Sequence, residues 1–294
     1  MRVSLIVGAG AIALLTACTQ ERVEVQVELD PLTQMVKDCE EGSGQACFEL
    51  GKHFRDTPGE QSKQRSLSAF EKGCEHDHAA SCNAAGLLLF ESGPAERLRG
   101  LLDKGCQLGD AESCFHLGSA LLKGPGQPDP EAALTVYEKA CAADHAQACS
   151  NASIMLHSGD GVEVDHSRVY PLAEKACSLE KSYCSTLARG YAQGWFGEPD
   201  FEKAGDLFLE DCNAGGKVGC FSLSALLLGK KIMPNGRPTI ASLSKKACES
   251  GIAQGCANYA ILLRDGEHGV DKDPEASSKY FDKACALGKE DVCE

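Results

Sequence analysis

The stretch EAALTVYEKACAADHAQACSNASIMLH, residues 131–157, decides the fold. In each half, small, apolar and cysteine residues recur three or four positions apart. The first set is Ala133, Tyr137, Ala140 and Cys141, and the second is Cys149, Ala152, Ser153 and Leu156. This spacing is typical of amphipathic helices. The short stretch between them, residues 142–147, predicts a turn, so the sequence indicates two antiparallel helices joined as a hairpin.

The two cysteines of this stretch belong to a series that spans the chain. Of 17 cysteines in 294 residues, all but Cys18 fall into couples. The couples are Cys39 with Cys47, Cys74 with Cys82, Cys106 with Cys114, Cys141 with Cys149, Cys177 with Cys184, Cys212 with Cys220, Cys248 with Cys256 and Cys285 with Cys293. The spacing within a couple is C-x7-C, except for C-x6-C at Cys177 and Cys184, and first members recur after 35, 32, 35, 36, 35, 36 and 37 residues. Such a period predicts one elongated array of helical units.

Two further positions repeat with the cysteines. The residue four places after the second cysteine is always small: Gly51, Gly86, Gly118, Ser153, Ala188, Ser224 and Ala260. The residue four places before the first cysteine is usually large and apolar: Met35, Phe70, Leu102, Tyr137, Phe208 and Phe281. Ala173 and Ser244 are the exceptions. A bulky group facing a gap predicts close helix packing, so we interpret these positions as core.

The full pattern resembles the Sel-one-like repeat, a relative of the tetratricopeptide repeat, and in particular its cysteine-rich, secreted bacterial Hcp-like subclass. The segments that carry the resemblance are Tyr137-Glu-Lys-Ala-Cys141, Leu172-Ala-Glu-Lys-Ala-Cys177 and Phe281-Asp-Lys-Ala-Cys285. The resemblance implies an all-α, right-handed α/α solenoid over residues 32–294, with about seven hairpins and partial ends. Loops at 125–130, 195–199 and 232–238 depart from the usual Gly-x-Gly-Val pattern, and the last helix is reduced to a stub.

The cysteine couples are expected to be disulfides. If each first cysteine ends one helix and each second cysteine begins the next, their Cα atoms can approach to the roughly 4.4–6.8 Å that a disulfide needs. Closing a loop of eight residues stabilises the fold by about 2.5 kcal/mol in the chain-entropy model. Zinc binding and free thiols are the alternatives. The best metal cluster is His76 and His78 between Cys74 and Cys82, but the C-x2-C spacing of zinc sites is absent, so we expect no metal and no cofactor.

The N-terminus indicates export. Residues 3–15 are apolar and too short to span a bilayer comfortably, and Leu15-Thr-Ala-Cys18 resembles the lipobox of bacterial lipoproteins. We therefore expect a signal peptide over 1–17, acylation of Cys18 and a tether over 18–31. The residue after the cysteine is Thr19 rather than Asp, and the resemblance to lipoprotein sorting in diderm bacteria then implies the outer membrane of the envelope. A plain secretory signal or an uncleaved anchor is the alternative.

Charge and motifs narrow the function. The net charge of −14 argues against nucleic-acid binding. Because proteins that resemble this chain are described as penicillin-binding or beta-lactamase-like, a beta-lactam or peptidoglycan-fragment binder with slow hydrolysis is the alternative function. S-x-x-K occurs at Ser178 with Lys181 and at Ser242 with Lys245, without the companion S-D-N and K-T-G elements. No catalytic residue is therefore predicted.

The leading hypothesis is a non-catalytic scaffold that binds a protein or peptide on its concave face. Trp195 and Phe196, flanked by Gly194 and Gly197, are the most unusual residues. Exposed aromatic residues of this kind often carry binding energy. The hypothesis places them in a binding site together with Tyr183 and Tyr191. The alternative is that they cap the groove between two repeats.

Overall fold

The computed structural model describes residues 30–90, 93–233, 236–268 and 270–293. The expected signal peptide, Cys18 and all of the expected tether except Asp30 and Pro31 lie outside these ranges. The described ranges form fifteen α-helices and no strand. The helices are α1 (Pro31–Glu40), α2 (Gly44–Arg55), α3 (Glu60–Glu75), α4 (Ala79–Leu89), α5 (Ala95–Gln107), α6 (Ala111–Lys123), α7 (Pro130–Ala142), α8 (Ala146–Ser158), α9 (His166–Leu179), α10 (Cys184–Gln193), α11 (Phe201–Asn213), α12 (Gly219–Leu228), α13 (Ile240–Glu249), α14 (Ala253–Asp265) and α15 (Pro274–Ala286).

Consecutive helices pair into hairpins, so the prediction of an all-α repeat fold is confirmed. In the described ranges, α1 to α14 form seven hairpins, and α15 is followed only by a 3₁₀ turn, Glu290–Val292. That turn is the predicted stub. The hairpin predicted from residues 131–157 is α7 and α8, with a turn of three residues between them. The first helix of the described ranges begins at Pro31, where the Asp30 side chain accepts hydrogen bonds from the backbone N–H groups of Leu32 and Thr33.

Size complementarity between hairpins confirms the predicted core. The small residue on the second helix of one hairpin lies against the large residue on the first helix of the next. An ideal Cβ added to each glycine would come too close to its partner: Gly51 to Phe70 (2.4 Å), Gly86 to Leu102 (2.6 Å) and Gly118 to Tyr137 (2.6 Å). A larger residue there would force overpacking, which costs about 1–3 kcal/mol.

A disulfide closes the turn of every hairpin, the partial one included. The structure joins the eight couples expected from the sequence, with Cα–Cα distances from 4.3 to 5.1 Å. The bonded pairs are Cys39 with Cys47, Cys74 with Cys82, Cys106 with Cys114, Cys141 with Cys149, Cys177 with Cys184, Cys212 with Cys220, Cys248 with Cys256 and Cys285 with Cys293. Because the helices of each hairpin are antiparallel, all these turns lie on one side of the array, the turn edge. The connections between hairpins lie on the opposite side, the loop edge.

The second cysteine of a couple lies in a different position at the C-terminal end of the array than elsewhere. Cys47, Cys114, Cys220 and Cys256 each lie near the start of the second helix of a hairpin and are buried, as the sequence predicts. Cys293 departs from this arrangement, because it follows the 3₁₀ turn in extended conformation and is exposed. Cys293 lies in the predicted stub, where the described residues form no second helix that could bury it.

The loop edge is closed by a recurring aspartate. The backbone N–H of this residue donates to a carbonyl near the end of the preceding helix, and its side chain caps the next helix. The backbone bonds are Asp129 to Leu121 (2.9 Å), Asp165 to Leu156 (2.9 Å), Asp200 to Tyr191 (2.9 Å) and Asp273 to Leu263 (2.8 Å). The same aspartates accept hydrogen bonds at the starts of α7, α9, α11 and α15. The hairpins that these aspartates precede are therefore fixed at both edges.

Candidate functional site

Three glycines fold the connection between α10 and α11 back onto the array. Gly194 ends α10 with φ +72°, and an ideal Cβ there would lie 2.8 Å from the carbonyl oxygen of Gly197. The backbone N–H of Trp195 then donates to the carbonyl of Gly190 at 2.9 Å. Glycine adopts this left-handed conformation at no steric cost. The reversal brings Trp195 and Phe196 over helices that precede them in the chain.

Phe196 is a packing residue. Its ring lies so close to Gly190 that an added Cβ would be 2.0 Å from it. It also packs edge-to-face against Tyr170 and Tyr191, with ring centroids 5.0 and 5.5 Å away. Such pairs stabilise a core beyond the area they bury. Phe196 therefore occupies the groove between repeats, the alternative position that the sequence allowed.

Trp195 instead lies over two histidines. Its ring centroid is 3.6 Å from that of His157 and 5.6 Å from that of His166, at interplanar angles of 22° and 14°. His157 Nδ1 and His166 Nε2 are 3.2 Å apart, a hydrogen bond between the two imidazoles. Burial, and then the nearby charges of Arg189 and His166, hold the pKa of His157 below its ordinary value. The three half-buried rings form a flat stack, and we call Trp195, His157, His166 and Arg189 the Trp195 cluster.

Arg189 completes this cluster from α10. Its guanidinium carbon is 6.0 Å from the centre of the Trp195 ring. Its Nε is buried and has no hydrogen-bond partner among the described residues. A buried donor without an acceptor is costly, so this atom marks a place where an acceptor would be stabilised.

The four residues expected at a binding site do not lie together. Tyr191 is beside Phe196, under the Nζ of Lys203, which is 4.1 Å from its ring centre. Tyr170 joins them and donates to Glu174 Oε1 at 2.6 Å, which raises the pKa of Tyr170. Tyr183, however, lies before α10 at the turn edge, one helix length away. The expectation that Tyr183 lines the same region is therefore wrong. Tyr183 lies at the turn edge, whereas Tyr191, Trp195 and Phe196 lie at the loop edge.

Tyr183 borders a groove of about 550 Å³ that the sequence did not indicate. The ring of Phe115 stacks on His145 there, with centroids 4.6 Å apart, and His116 Nδ1 contacts Asn83 Oδ1 at 2.9 Å. Burial is the main cause that lowers the pKa of His116. One feature of the sequence could have indicated this groove, namely a phenylalanine directly after the second cysteine of a couple. Phe115 follows Cys114, and Phe48 follows Cys47. Phe48 likewise lies against a histidine, His78, with ring centroids 5.2 Å apart.

The two S-x-x-K motifs lack a base at the serine. Ser178 Oγ donates to the carbonyl of Lys175 and Ser242 Oγ to the carbonyl of Thr239, each at 2.8 Å. Lys181 Nζ pairs with Glu210 at 2.8 Å rather than with Ser178. Nucleophilic serines need a base within hydrogen-bond reach. The geometry therefore gives the alternative hydrolase function no activated nucleophile at these serines.

His78 and the cysteines among the candidate metal ligands are already engaged. Both ring nitrogens of His78 have partners, Ser81 Oγ at 2.9 Å and Gln45 Oε1 at 3.0 Å. Cys177, Cys184 and Glu210 bring ligand atoms within 4.8 Å of one another, but the two sulfurs form a disulfide. A disulfide offers no thiolate to a metal. Across the described ranges, no helix has the length and apolar character needed to cross a membrane.

Comparison with known proteins identifies the repeat. Residues 111–145, 146–180 and 253–289 match the family model of the Sel1 repeat. A Sel1 repeat protein from Oxalobacter formigenes superposes with a TM-score of 0.62 over 87% of this chain and 97% of that one, at 16% identity. A protective antigen of uropathogenic Escherichia coli with an SLR fold gives a TM-score of 0.50 over 90% and 66%, at 17% identity. Three segments of the chain therefore match the Sel1 repeat, and these structures show the fold alone.

Two curated relatives are similar over part of the chain. Cytochrome c oxidase assembly factor 7 of Xenopus tropicalis is 29% identical over 172 residues, which are 53% of this chain and 74% of the relative. Cytochrome c oxidase assembly factor 7A of Xenopus laevis is 35% identical over 127 residues, which are 40% and 55%. The chain thus spans just over half the length of the second relative.

Proposed function

We propose that this protein is a lipid-anchored scaffold of the bacterial cell envelope that binds a protein or peptide without converting it. The Hcp-like resemblance and the lipobox-like Leu15-Thr-Ala-Cys18 support the compartment, since eight disulfides need an oxidising space to form and persist. The names of the two curated relatives support a general role in assembling another protein. The client is a protein of the same envelope.

The observation that carries the proposal is a surface strip on the second helices. We define the strip by the positions one, five and eight residues after each second cysteine, which share one helix face. Its exposed apolar residues are Leu87, Ile154, Leu228 and Ile261. Its partly exposed aromatic residues are Phe48, Phe90, Phe115 and Phe221. Apolar groups aligned on successive helices are typical of a surface that binds another chain.

The charge of the strip is also unusual. Its 21 positions hold no Asp or Glu, although 43 of the 294 residues are acidic. Its charged residues are Lys52, Arg55, Arg189 and Arg264. A carboxylate-free strip in an acidic protein favours a partner that brings apolar and acidic side chains.

Site-specific crosslinking tests the binding role. A photoreactive residue at Ile154, which is 37% exposed, should give a discrete adduct in intact envelopes. The adduct should weaken when Ile261→Asp is introduced on the same strip. The matched control is Val164→Asp, which alters an exposed apolar residue at the loop edge and should leave the adduct unchanged. No discrete adduct at Ile154, or equal loss with the control, would refute the proposal.

The anchor is tested separately. Radiolabelled palmitate should be incorporated into the wild type and not into Cys18→Ser. Fractionation should place the wild type with the outer membrane and release the variant into the soluble envelope fraction. Labelling that persists in Cys18→Ser would contradict the anchor and leave the scaffold role untouched.

A further inference from the structure

We infer that the Trp195 cluster is a subsite for a carboxylate of the bound peptide. Arg189 binds the carboxylate, and the indole of Trp195 forms one wall of the subsite. This inference rests on the proposed binding function and names the chemistry of one contact. It does not concern Phe196, whose packing role is explained by the core.

Arg189 differs from the other arginines whose Nε atoms are buried and unpartnered. Arg99 still donates through Nη2 to the carbonyl of Gln127 at 2.8 Å. Arg237 still pairs with Glu202 and Asp206. Arg189 has no ion pair and no hydrogen bond to any residue in the described ranges. A guanidinium presents its donors in a fixed planar fork, which matches the two oxygens of a carboxylate. The Nε donor of Arg189, which has no partner among the described residues, therefore favours an acceptor such as a carboxylate.

The surroundings favour an anion because no carboxylate among the described residues acts on His157. The charged groups that act on His157 are Arg189 and His166, and both lower its pKa. The nearest acid in sequence to His166 is Asp165, whose Oδ1 accepts from the backbone N–H groups of Ser167 and Arg168. That carboxylate is occupied as the cap of α9. An arriving carboxylate would meet a cation and two imidazoles without repulsion.

The neighbouring residues define what lies beside the carboxylate. Ile154 is one helical turn before His157 on α8, exposed on the same strip. Ala192 lies on α10, three residues after Arg189. The indole of Trp195 covers the imidazoles and limits access of water. The site therefore fits a glutamate or aspartate that is flanked by apolar side chains in an extended or helical peptide.

Fluorescence provides a direct test because Trp195 is the only tryptophan of the chain. The probes are two blocked peptides, acetyl-Leu-Leu-Glu-Leu-Leu-amide and the same peptide with Gln in place of Glu. Titrated into the full-length, disulfide-intact protein at pH 7.5, the Glu peptide should change the Trp195 emission saturably. We expect it to bind at least tenfold more tightly than the Gln peptide.

Matched variants assign the preference. Arg189→Gln should abolish the difference between the two peptides, whereas Arg97→Gln should keep it, because Arg97 lies on α5 outside the strip and pairs with Glu71. Circular dichroism and thiol counting establish that both variants are folded and oxidised. Equal binding of the two peptides to the wild type would overturn the inference, as would a preference that survives in Arg189→Gln.

Two further results separate the sources of failure. Saturation by inorganic phosphate at the concentrations used for the Glu peptide, without preference for Glu over Gln, would replace the carboxylate assignment with a general anion site. If the Ile154 crosslink forms in envelopes while the Glu preference is absent, the subsite is wrong and the scaffold function stands. If the crosslink is also absent, the proposed function itself has failed.

Discussion

Two adjoining stretches of the array are built by different means. Residues 111–180 match the Sel1 repeat, and we call them the regular stretch. The match stops at 180 and resumes at 253, and we call residues 181–252 the irregular stretch. Between those points lie the end of the short couple of Cys177 and Cys184, the Trp195–Phe196 loop and a buried aspartate, Asp211. The helices nevertheless continue to pair as hairpins through α10 to α14. The fold thus depends on contacts between positions more than on the residues that occupy them.

Several departures in the irregular stretch are matched by a change at a contacting position. Lys175 pairs with Asp144 across hairpins in the regular stretch, whereas Lys181 pairs with Glu210, which occupies the lysine position of its own repeat. In the regular stretch Met155 is large where Gly190 is small, and Gly161 is small where Phe196 is large. Likewise Gly105 faces Ser113, whereas Asp211 faces Gly219. In the irregular stretch the larger residue of each contact, Phe196 or Asp211, therefore lies against a glycine, which avoids overpacking.

The size exchange at Phe196 gives the largest expected effect. Phe196→Ala should lower the free energy of unfolding by about 3 kcal/mol, because it empties a space that Gly190 cannot fill. Adding Gly190→Met to Phe196→Ala should recover part of the loss, because Gly190 lies directly against the Phe196 ring and a larger side chain there would fill part of the emptied space. Gly190→Met alone should be destabilising, because Phe196 already occupies that space. Guanidinium denaturation of the oxidised variants measures these effects, and additive losses would contradict the exchange.

Removing single disulfides would show whether a bridge in the interior of the array stabilises the fold differently from the bridge at its C-terminal end. Removing the bridge between Cys141 and Cys149, or that between Cys177 and Cys184, by paired serine substitutions should cost about 2.5 kcal/mol each, because the closed loops are nearly equal in length. The bridge from α15 to Cys293 should act differently. It holds only the 3₁₀ turn after α15, so its loss should increase amide exchange near the C-terminus and leave α6 to α9 protected. Equal loss of protection throughout the array would show that the end is coupled to the interior.

The buried carboxyl of Asp211 makes the irregular stretch sensitive to pH. Burial is the main cause that raises its pKa to about 6, and its Oδ2 accepts from the backbone N–H of Gly219 at 2.6 Å. Because the folded pKa lies above the unfolded value, protonation favours the folded state. Stability should therefore increase as the pH falls from above 6 towards 4.

Asp211→Asn should remove this dependence. It should raise the free energy of unfolding at pH 7.5 by about 2 kcal/mol and have little effect at pH 4. Asp38 holds the same position before Cys39 but is only partly buried, so Asp38→Asn is the matched control. Urea denaturation between pH 4 and 8 measures the difference, and a wild-type profile that is unchanged in Asp211→Asn would rule out the buried carboxyl as its source.

Short-range pattern made most of the fold predictable. The hairpins, the disulfide couples and the small-against-large contacts, such as Gly118 with Tyr137, follow from spacings within one or two repeats. The Trp195 cluster could not be predicted, because it joins the end of α8, the start of α9 and a loop after α10. Asp211 was also missed, since its burial depends on Gly219 lacking a side chain. A cluster formed by side chains from three separate elements produces no repeating pattern in the sequence, so periodicity could not indicate it.

The ion pair between Lys181 and Glu210 has the opposite orientation to that between Lys175 and Asp144, so we call it the inverted pair. Exchanging its charges should have the smallest effect on stability, and it compares the two stretches directly. Lys181 and Glu210 are about half exposed, so Lys181→Glu or Glu210→Lys alone should cost less than about 1 kcal/mol. The double exchange should restore the stability, because the pair would then have the same orientation as Lys175 with Asp144. A double-mutant cycle in low salt measures the coupling, and the same cycle on Lys175 and Asp144 is the control. If only the regular pair shows coupling, the inverted one is a surface contact that the irregular stretch does not need.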